Sequence, residues 1–381
     1  MNAAPWTHYN PVRVIFRPGV LQHITDHVDS PRVALVTTPV FRRRGVVDTI
    51  ANALGSRLVA VVDDVKPNPD VDDVQVQSGR LRPERPDTLI ALGGGSTIDT
   101  AKAIARLLSE AEGTSLMTLL REGMIAATAP AVPVVAIPTT AGTGAEVTPF
   151  GTVWDHAGKM KYSIAGEDLY PKLAILDPEL TREMPAEITV ASGLDAISHA
   201  LESAWNRNAT PVTLGLVTKS LRLSMQSLAA ANENPGDIAA RAAMMQASVL
   251  AGLAISQTRT ALAHSISYPL TANFKLPHGL ACSFTLPALL AFNAASDDGR
   301  LADLALGVGY TDTDNLARGL SELFERLGVG GYLARYLPDR TSVMSLSDQM
   351  FAPGRAENNL RAASQDQVRA LVTESLDALG V

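Results

Sequence analysis

Short runs of consecutive apolar residues recur through the first half of the chain, each bounded by glycine, proline or aspartate. Runs of this length without polar alternation are typical of parallel strands that are covered on both faces. Helical patterns, such as the one at 97–108, lie between them. The alternation predicts a doubly wound α/β domain over residues 1–180. The predicted strands are at 33–38, 57–62, 88–93, 132–137 and 173–177.

Beyond residue 177 the strand pattern gives way to long segments whose apolar residues recur with helical spacing. Pro185 and Pro211 stand near the beginnings of two of these segments, as proline does in the first turn of helices. We therefore predict an all-α domain over residues 181–381 and a ligand site in the cleft between the two domains. The predicted helices are at 188–205, 211–230, 236–256, 260–270, 300–307, 314–327 and 365–379.

Composition indicates a large folded core and limits the partners. The chain has 381 residues, of which 46 % are hydrophobic and only 19 % are charged. Such a chain buries enough apolar surface to exclude wholesale disorder. The net charge of −7 gives no general attraction to nucleic acid or to an anionic membrane surface. We therefore expect neither as a partner.

Cysteine content and the absence of a leader pattern favour the cytoplasm. Cys282 is the one cysteine, so an internal disulfide and a cysteine-based zinc cluster are excluded. The N-terminus has no basic start followed by an apolar run, which a secretory signal requires. The apolar stretches at 242–255 and 280–292 are too short to span a bilayer. We therefore expect a cytoplasmic protein.

Four residues in the second half combine metal-binding chemistry with apolar surroundings. Asp195 and His199 are four residues apart, so a helix would place both side chains on one face. His264 and His278 stand in other apolar segments, where an unpaired polar group is costly. A lone histidine in such a place is more often a hydrogen-bonded core residue, but one divalent cation would satisfy all four side chains. Three imidazoles and a carboxylate suit Fe(II) or Zn(II).

Two glycine-rich turns in the first half suit a phosphate group. The run GGGSTIDTAK at 93–102 follows a predicted strand and opens a helix, whose N-terminal N–H groups attract anions. The run IPTTAGTGAEV at 137–147 ends the next strand. Both turns lie at carboxyl ends of strands, where doubly wound sheets bind nucleotides. KPNP at 66–69 ends a third strand, so Asn68 can reach the same place.

Taken together, the motifs resemble those of the iron-containing (group III) alcohol dehydrogenases along almost the whole chain. They occur in the family's order as GGGSTIDTAK, IPTTAGTGAEVT, ILDPEL at 175–180, SGLDAISHALE at 192–202 and LPHGLA at 276–281. The resemblance implies an NAD(P)-linked oxidoreductase with an N-terminal dinucleotide-binding domain and a C-terminal helical, metal-binding domain. That fold is also found in dehydroquinate synthase. The resemblance further implies a homodimer.

Residue by residue, the resemblance implies a metal-ligand set and a cofactor site. The implied ligands, for Fe(II) or alternatively Zn(II), are Asp195, His199, His264 and His278. The implied contacts of the cofactor pyrophosphate are Gly94, Gly95 and Ser96. The implied contacts on the nicotinamide side are Thr139, Thr140 and Thr143. The other implied cofactor contacts are Thr38, Asn68, Lys161 and Leu180.

Two departures from the family pattern change these expectations. Many members close the first strand with an aspartate that accepts a hydrogen bond from the adenosine ribose, whereas this chain has Thr38 and then three arginines at 42–44. Because arginine pairs well with phosphate, we expect NADPH to be favoured over NADH unless these arginines are a solvated helix face. Tyr268 replaces a histidine that is a proton-relay candidate in several members, and tyrosine carries protons poorly near pH 7.

Within the family, the runs at 202–211 and 259–287 look like those of phosphonoacetaldehyde reductases, which act in phosphonate biosynthesis. This branch reduces phosphonoacetaldehyde to 2-hydroxyethylphosphonate. Arg259, with a helix N-terminus and Tyr268, would cradle the phosphonate. Arg259 could alternatively be a surface residue at a helix end. Three other functions stay open: a reductase of neutral aldehydes such as lactaldehyde or butanal, a dehydroquinate synthase-like lyase, and a non-catalytic binding protein, which would not need a complete ligand set beside a cofactor site. The sparse basic residues around the ligand motifs argue against the lyase.

Overall fold

The chain folds into two compact units. The computed structural model describes residues 5–121, 129–158, 160–351 and 354–381. The α/β unit comprises Asn10–Thr140 and Ala145–Thr181. The helical unit comprises Arg182–Val381, Ala141–Gly144 and the N-terminal segment of this chain up to Tyr9. The predicted fold class, an α/β domain followed by an all-α domain, is confirmed.

A parallel sheet and a small hairpin form the framework of the α/β unit. The strands in the described residues are β1 (Arg13–Phe16), β2 (Val33–Thr37), β3 (Leu58–Val62), β4 (Thr88–Gly93), β5 (Val134–Pro138), β6 (Phe150–Asp155), β7 (Met160–Ala165) and β8 (Leu173–Leu176). The sheet has the order β1-β8-β5-β4-β2-β3, and its neighbouring strands are parallel. Their carboxyl ends therefore lie along one edge, while β6 and β7 pair as an antiparallel hairpin.

Helices cover both faces of the sheet, which explains why its strands lack polar alternation. In β2, Val33 and Leu35 join one buried cluster, whereas Ala34 and Val36 join another. Successive strand residues point to opposite faces, so both faces must be apolar to be buried. The helices of this unit are α1 (Pro39–Arg43), α2 (Val46–Leu54), α3 (Val71–Leu81), α4 (Gly95–Ser109) and α5 (Leu116–Arg121).

The helical unit is built from helices whose starts follow common capping rules. Its helices are α6 (Ala186–Ala204), α7 (Pro211–Glu233), α8 (Ile238–Thr258), α9 (Leu262–Phe274), α10 (His278–Ala281), α11 (Leu286–Ala294), α12 (Arg300–Val308), α13 (Thr313–Arg326), α14 (Val329–Tyr336), α15 (Arg340–Met344) and α16 (Gln365–Ala378). α7 begins with Pro211 in its first turn, and the Thr210 side chain accepts from the backbone N–H of Thr213. α6 begins after Pro185.

α8 contains the apolar stretch at 242–255 and agrees in length with the helix predicted at 236–256. Among the described residues, this 21-residue helix alone is long and apolar enough to cross a membrane by length and composition. Its most apolar window is 61 % buried, and the core helix of a soluble protein passes the same criterion.

Several short elements carry no clear sequence signal. β1 has only four residues and is mostly exposed, so its pattern differs from that of the buried strands. The hairpin of β6 and β7 depends on pairing between the two segments rather than on an apolar run. α10 has only four residues. α11, LPALLAFNA, is apolar on all sides, which removes the helical periodicity.

Candidate metal centre and dinucleotide site

The predicted ligand pair on α6 lies side by side in the core of the helical unit. Asp195 and His199 are one helical turn apart, and Asp195 Oδ1 lies 3.5 Å from His199 Nε2. Both side chains are buried. The His199 Nδ1 atom lies 3.3 Å from the backbone oxygen of Gly142, which orients the ring. α6 therefore presents a carboxylate and an imidazole toward one point.

Two further helices bring the other predicted ligands to the same point. His264 lies in the first turn of α9, and its Nε2 atom lies 3.6 Å from Asp195 Oδ1. The His264 ring stacks on that of His199, with centroids 4.9 Å apart, and meets that of His278 edge-on at 5.1 Å. His278 is the first residue of α10 and is half-buried. All four predicted ligands therefore lie in one cluster.

Cys282 joins this cluster, which the sequence analysis did not foresee. Its Sγ atom lies 3.3 Å from Asp195 Oδ1. Donor atoms of Asp195, His264, His278 and Cys282 all lie within 4.8 Å of one another. Burial raises the pKa of the Cys282 thiol well above its usual value, so the thiol donates to the carboxylate in the absence of a cation. The spacing of four residues from His278 to Cys282 is the signal that could have indicated it.

Glu202 is a second residue that the sequence analysis missed. Its side chain is fully buried, and its Oε2 atom accepts from Nδ1 of His264 at 2.6 Å. Its Oε1 atom accepts from the backbone N–H of His264 at 3.1 Å. A carboxylate that holds one ring nitrogen of a ligand histidine fixes the tautomer and turns the other nitrogen toward the metal. Glu202 is seven residues after Asp195, on the same face of α6.

The electrostatics of the cluster are those of a cation site. Burial raises the pKa of Asp195, but the histidines, His199 first, hold it well below its usual range. Burial likewise lowers the pKa of His264, but Glu202 and Asp195 outweigh it and raise that pKa to about 10. The neighbouring carboxylates thus favour a positive charge on or beside His264.

A divalent cation fits this donor set. His264 Nε2 is buried without a hydrogen-bond partner among the described residues. With Nδ1 donating to Glu202, Nε2 is turned toward the carboxylate of Asp195, whose Oδ1 atom lies 3.6 Å away. A metal ion would satisfy both atoms and would displace a proton from the imidazole. Imidazole and carboxylate ligands suit Fe(II) and Zn(II) better than Mg(II) or Ca(II).

Glycine allows the backbones around the cluster to approach closely. A Cβ atom on Gly279 would lie 1.8 Å from the backbone oxygen of Ala191 on α6. A Cβ atom on Gly142 would lie 2.3 Å from the backbone oxygen of Ser192. Distances below 3 Å are not tolerated, so α10 and the segment Ala141–Gly144 reach α6 only because these residues lack a side chain.

The α/β unit forms the predicted phosphate turn at the start of α4. Gly94 precedes the helix, and Gly95 and Ser96 open it, so their N–H groups lie in the unpaired first turn. The Asn68 backbone N–H donates to Ser96 Oγ at 3.2 Å, which brings the KPNP turn to the same helix end. A Cβ atom on Gly94 would lie 3.2 Å from the side chain of Thr140. The turn therefore fits a pyrophosphate.

The other predicted cofactor and substrate residues are distributed over both units. Thr139 donates its N–H to the Gly93 oxygen at 3.0 Å, beside the phosphate turn. Thr143 belongs to the helical unit. Lys161 on β7 lies 5.5 Å above the Trp154 ring, and Leu180 is buried in the α/β unit. Thr38 follows β2, whereas Arg259 and Tyr268 flank His264 in the helical unit.

A buried ionic group supports the loop after β5, and the sequence analysis did not single it out. Lys102 on α4 is fully buried and donates to the backbone oxygens of Ala145, Thr148 and Phe150 at 2.7–2.8 Å. Burial lowers the pKa of Lys102 to about 8. Burial raises that of the nearby Glu146 to about 7. The lysine thus ties α4 to the glycine-rich loop.

Comparison with known proteins agrees with both halves of this description. The family profile "iron-containing alcohol dehydrogenase" matches residues 11–178, and the profile of its C-terminal part matches residues 189–376. The chain is 32 % identical to the NAD-dependent methanol dehydrogenase of Bacillus methanolicus, over 96 % of this chain and 98 % of that protein. It is 38 % identical to a phosphonoacetaldehyde reductase of Streptomyces viridochromogenes, over 72 % of this chain and 70 % of that protein.

Solved structures give the same result for the fold. The sulfoacetaldehyde reductase of Bifidobacterium kashiwanohense, in complex with NAD+, superimposes with a TM-score of 0.90 at 28 % identity, over 98 % of this chain and 99 % of that one. Enzymes of this family use NAD(H) and a divalent metal to interconvert small aldehydes and alcohols. The chain belongs to the iron-containing alcohol dehydrogenases.

Proposed function

We propose that this enzyme reduces a small aldehyde that carries a phosphonate group, with phosphonoacetaldehyde as substrate and 2-hydroxyethylphosphonate as product. The observation that supports the proposal most directly is the strained backbone conformation of Arg259, whose φ is positive. Two of the relatives reported above, the phosphonoacetaldehyde and sulfoacetaldehyde reductases, are named for two-carbon aldehydes with a tetrahedral anionic group. An arginine five residues before the predicted ligand His264 would supply the matching positive charge.

Arg259 is held in a conformation that glycine adopts more readily. It joins α8 to α9 with φ 66° and ψ 175°, a region that costs a side-chain-bearing residue about 1–3 kcal/mol. Its N–H donates to Ile255, and its carbonyl oxygen accepts from Asn206 Nδ2 at 3.2 Å. These bonds hold the backbone of Arg259 in the strained conformation. Arg259 stands five residues before His264 in the sequence. Strain of this kind concentrates at functional sites.

Residues of the helical unit bind the metal, and residues of the α/β unit bind the cofactor. When bound, Fe(II), or alternatively Zn(II), polarises the aldehyde oxygen, and the reduced nicotinamide supplies the hydride. Asp195 and the three histidines hold the metal, and Glu202 keeps the His264 ring in its binding orientation. The phosphate turn at Gly94, Gly95 and Ser96 binds the pyrophosphate through backbone N–H groups.

Two further assignments belong to this proposal. Tyr268 lies one helical turn after His264 on α9 and is half-buried. We assign the delivery of a proton to the product oxygen to water, to a ribose hydroxyl of the cofactor or to the Tyr268 hydroxyl, which forms hydrogen bonds but carries protons poorly near pH 7. We also place the enzyme in the cytoplasm, which agrees with its single cysteine. The family resemblance further leads us to propose a homodimer.

Parallel kinetics of the wild type and two Arg259 variants would test the substrate. NADH and NADPH oxidation by Fe(II)-reconstituted enzyme is followed with phosphonoacetaldehyde, with lactaldehyde and with butanal. We expect the phosphonate to have the highest kcat/KM. Arg259→Gly should raise the KM for phosphonoacetaldehyde by about 10- to 100-fold, as expected for a charge-assisted hydrogen bond, and leave that for butanal unchanged. Arg259→Ala should do the same.

The glycine variant separates folding from recognition. Glycine relieves the strain at positive φ, so Arg259→Gly should be as thermostable as the wild type. Arg326→Ala, which removes an exposed arginine that pairs with Glu233, is the matched control and should leave both KM values unchanged. Equal or better turnover of lactaldehyde or butanal, or an unchanged KM for the phosphonate in both Arg259 variants, would refute the phosphonate assignment and favour a reductase of neutral aldehydes.

A further inference from the structure

The end of β3 carries a carboxylate that the sequence analysis left out. β2 and β3 are parallel, and Val36 is in register with Val62. The next residues along each strand bring Asp63 level with Thr37, directly before Thr38. The carboxyl ends of parallel strands form the edge where doubly wound sheets bind nucleotides. Asp63 therefore stands on the same edge as the phosphate turn after β4, which neighbours β2.

The chain around Asp63 is fixed to that edge at three points. Arg42, on the short helix α1 that follows Thr38, donates from Nε to Oδ2 of Asp63. The backbone N–H of Val65 donates to the Thr37 oxygen at 3.2 Å, which ties the segment after β3 across the end of β2. The same segment then reaches the phosphate turn, where the Asn68 N–H donates to Ser96 Oγ at 3.2 Å. Asp63 is thus held at the end of β3, beside the end of β2.

The charges around Asp63 differ from those that the three arginines at 42–44 suggest when the sequence is considered alone. Arg42 is paired with Asp63, and the Arg44 guanidinium lies 5.3 Å above the Phe41 ring. A phosphate that bound to Arg42 would have to break its bond with Asp63 and would face the carboxylate at short range. A ribose hydroxyl, by contrast, donates to a carboxylate without such repulsion. The side chain of Asp63 is 32 % exposed, which leaves it accessible to a ligand.

We propose that Asp63, oriented by Arg42, is the carboxylate that accepts from the adenosine ribose of the bound dinucleotide and makes the enzyme select NAD(H) over NADP(H). The neighbouring strand thereby supplies the acid that position 38 lacks. The expectation of NADPH use depended on that missing acid and on free arginines. The proposal rests on the family's use of NAD(H) and does not depend on which aldehyde is reduced.

Equilibrium binding of both cofactors to the metal-loaded enzyme, without any aldehyde, would test the proposal. The fluorescence of NADH and of NADPH is titrated to obtain each Kd. The wild type should bind NADH at least about tenfold more tightly than NADPH. Asp63→Asn should weaken NADH binding, strengthen NADPH binding and bring the ratio of the two Kd values close to one.

Asp64 offers a matched control at the next position. Its carboxylate pairs with Arg80 at 2.6 Å and accepts from Gln77 at 3.0 Å, so Asp64→Asn makes the same charge change on another ion pair. That variant should keep the wild-type ratio of Kd values. Arg42→Met should retain the preference for NADH, because the unpaired carboxylate still repels a 2′-phosphate.

Each other outcome overturns the proposal. If the wild type prefers NADPH and the Arg42→Met variant does not, Arg42 binds the 2′-phosphate of NADPH. Equal changes of the Kd ratio in Asp63→Asn and Asp64→Asn would show a general charge effect. Because no aldehyde is present, failure of the phosphonate assignment would leave these Kd values untouched.

Discussion

At the scale of single residues, buried carboxylates decide what the neighbouring side chains can do. Both oxygens of Glu202 are occupied by one residue, His264, through its ring and its backbone N–H. The bond to the ring makes the opposite nitrogen available to a metal. Glu146 is also buried, and the charge of Lys102 lowers its pKa by less than burial raises it. Burial therefore dominates at Glu146, and the pKa of its carboxyl rises to about 7.

The raised pKa of Glu146 predicts how stability changes with pH. Between its unfolded value of 4.5 and its folded value of about 7, the folded protein holds a proton that the unfolded chain releases. The stabilisation by this proton is complete below the lower pKa and is lost as pH rises through the higher one. Glu146→Gln removes this dependence. From pH 5 to pH 7 the wild type should lose about 2 kcal/mol more unfolding free energy than the variant does.

Chemical denaturation at a series of pH values measures this difference. Glu112→Gln, at an exposed position of the same unit, is the control and should follow the wild type. Wild-type and Glu146→Gln curves that run parallel between pH 5 and pH 7 would show that the buried carboxyl does not hold its proton.

At the scale of elements, the metal cluster depends on how closely α10 approaches α6. α10 has only four residues and carries His278 at its start, so its position sets that of the ligand. Gly279 follows directly, and a Cβ atom there would lie 1.8 Å from the Ala191 oxygen. The distance is far too short for any side chain. The same glycine that makes the turn thus also sets the distance between two ligand-bearing helices.

Gly279→Ala should therefore lower both thermal stability and metal content. Overpacking at such a contact costs about 1–3 kcal/mol, and the required shift of α10 moves His278 away from Asp195. Gly215→Ala is the matched control, because among the described residues no atom outside the adjoining backbone of α7 lies within 4 Å of a Cβ atom at this position. That change should raise stability by about 0.5–1 kcal/mol. Calorimetry and metal analysis would contradict the account if Gly279→Ala matched the wild type in both.

Elements with a strong local pattern are the ones that the sequence predicts. β2 and β4 are buried on both faces, and α7 has a proline start with a capping threonine, so their signals are local. β1 gains its structure from pairing with β8, far later in the chain, whereas β6 and β7 gain theirs from pairing with each other. Single-segment periodicity does not contain that information.

At the scale of the whole molecule, the sequence motifs identify the predicted metal ligands but not all of the residues that contact these ligands. Each predicted ligand stands in a recognisable motif, and the structure brings Asp195 to His199, His264 and His278. The residues that the sequence analysis missed act through contacts with residues far away in the chain. Glu202 contacts His264, 62 residues later, and Cys282 contacts Asp195, 87 residues earlier. Only the folded chain reveals these partners.

At the cofactor site, too, contacts between distant parts of the chain decide which charges are available to a ligand. Thr38 and the arginines that follow it are adjacent in sequence, so they dominated the expectation about NADPH. The carboxylate of Asp63 is 21 residues from Arg42 and reaches it only because β3 lies beside β2. Local sequence shows which charges are present, whereas the sheet order shows which of them are already paired.

The metal content of the purified enzyme and of three ligand variants tests the central claim most directly. The protein is loaded with Fe(II), freed of excess metal and analysed by mass spectrometry, with His199→Ala, His264→Ala and His278→Ala treated in parallel. His156→Ala, a histidine of the hairpin in the α/β unit, is the control. The account predicts about one metal ion per chain in the wild type and the control, and less than about a tenth in each ligand variant. Full metal content in any of the three ligand variants would contradict it.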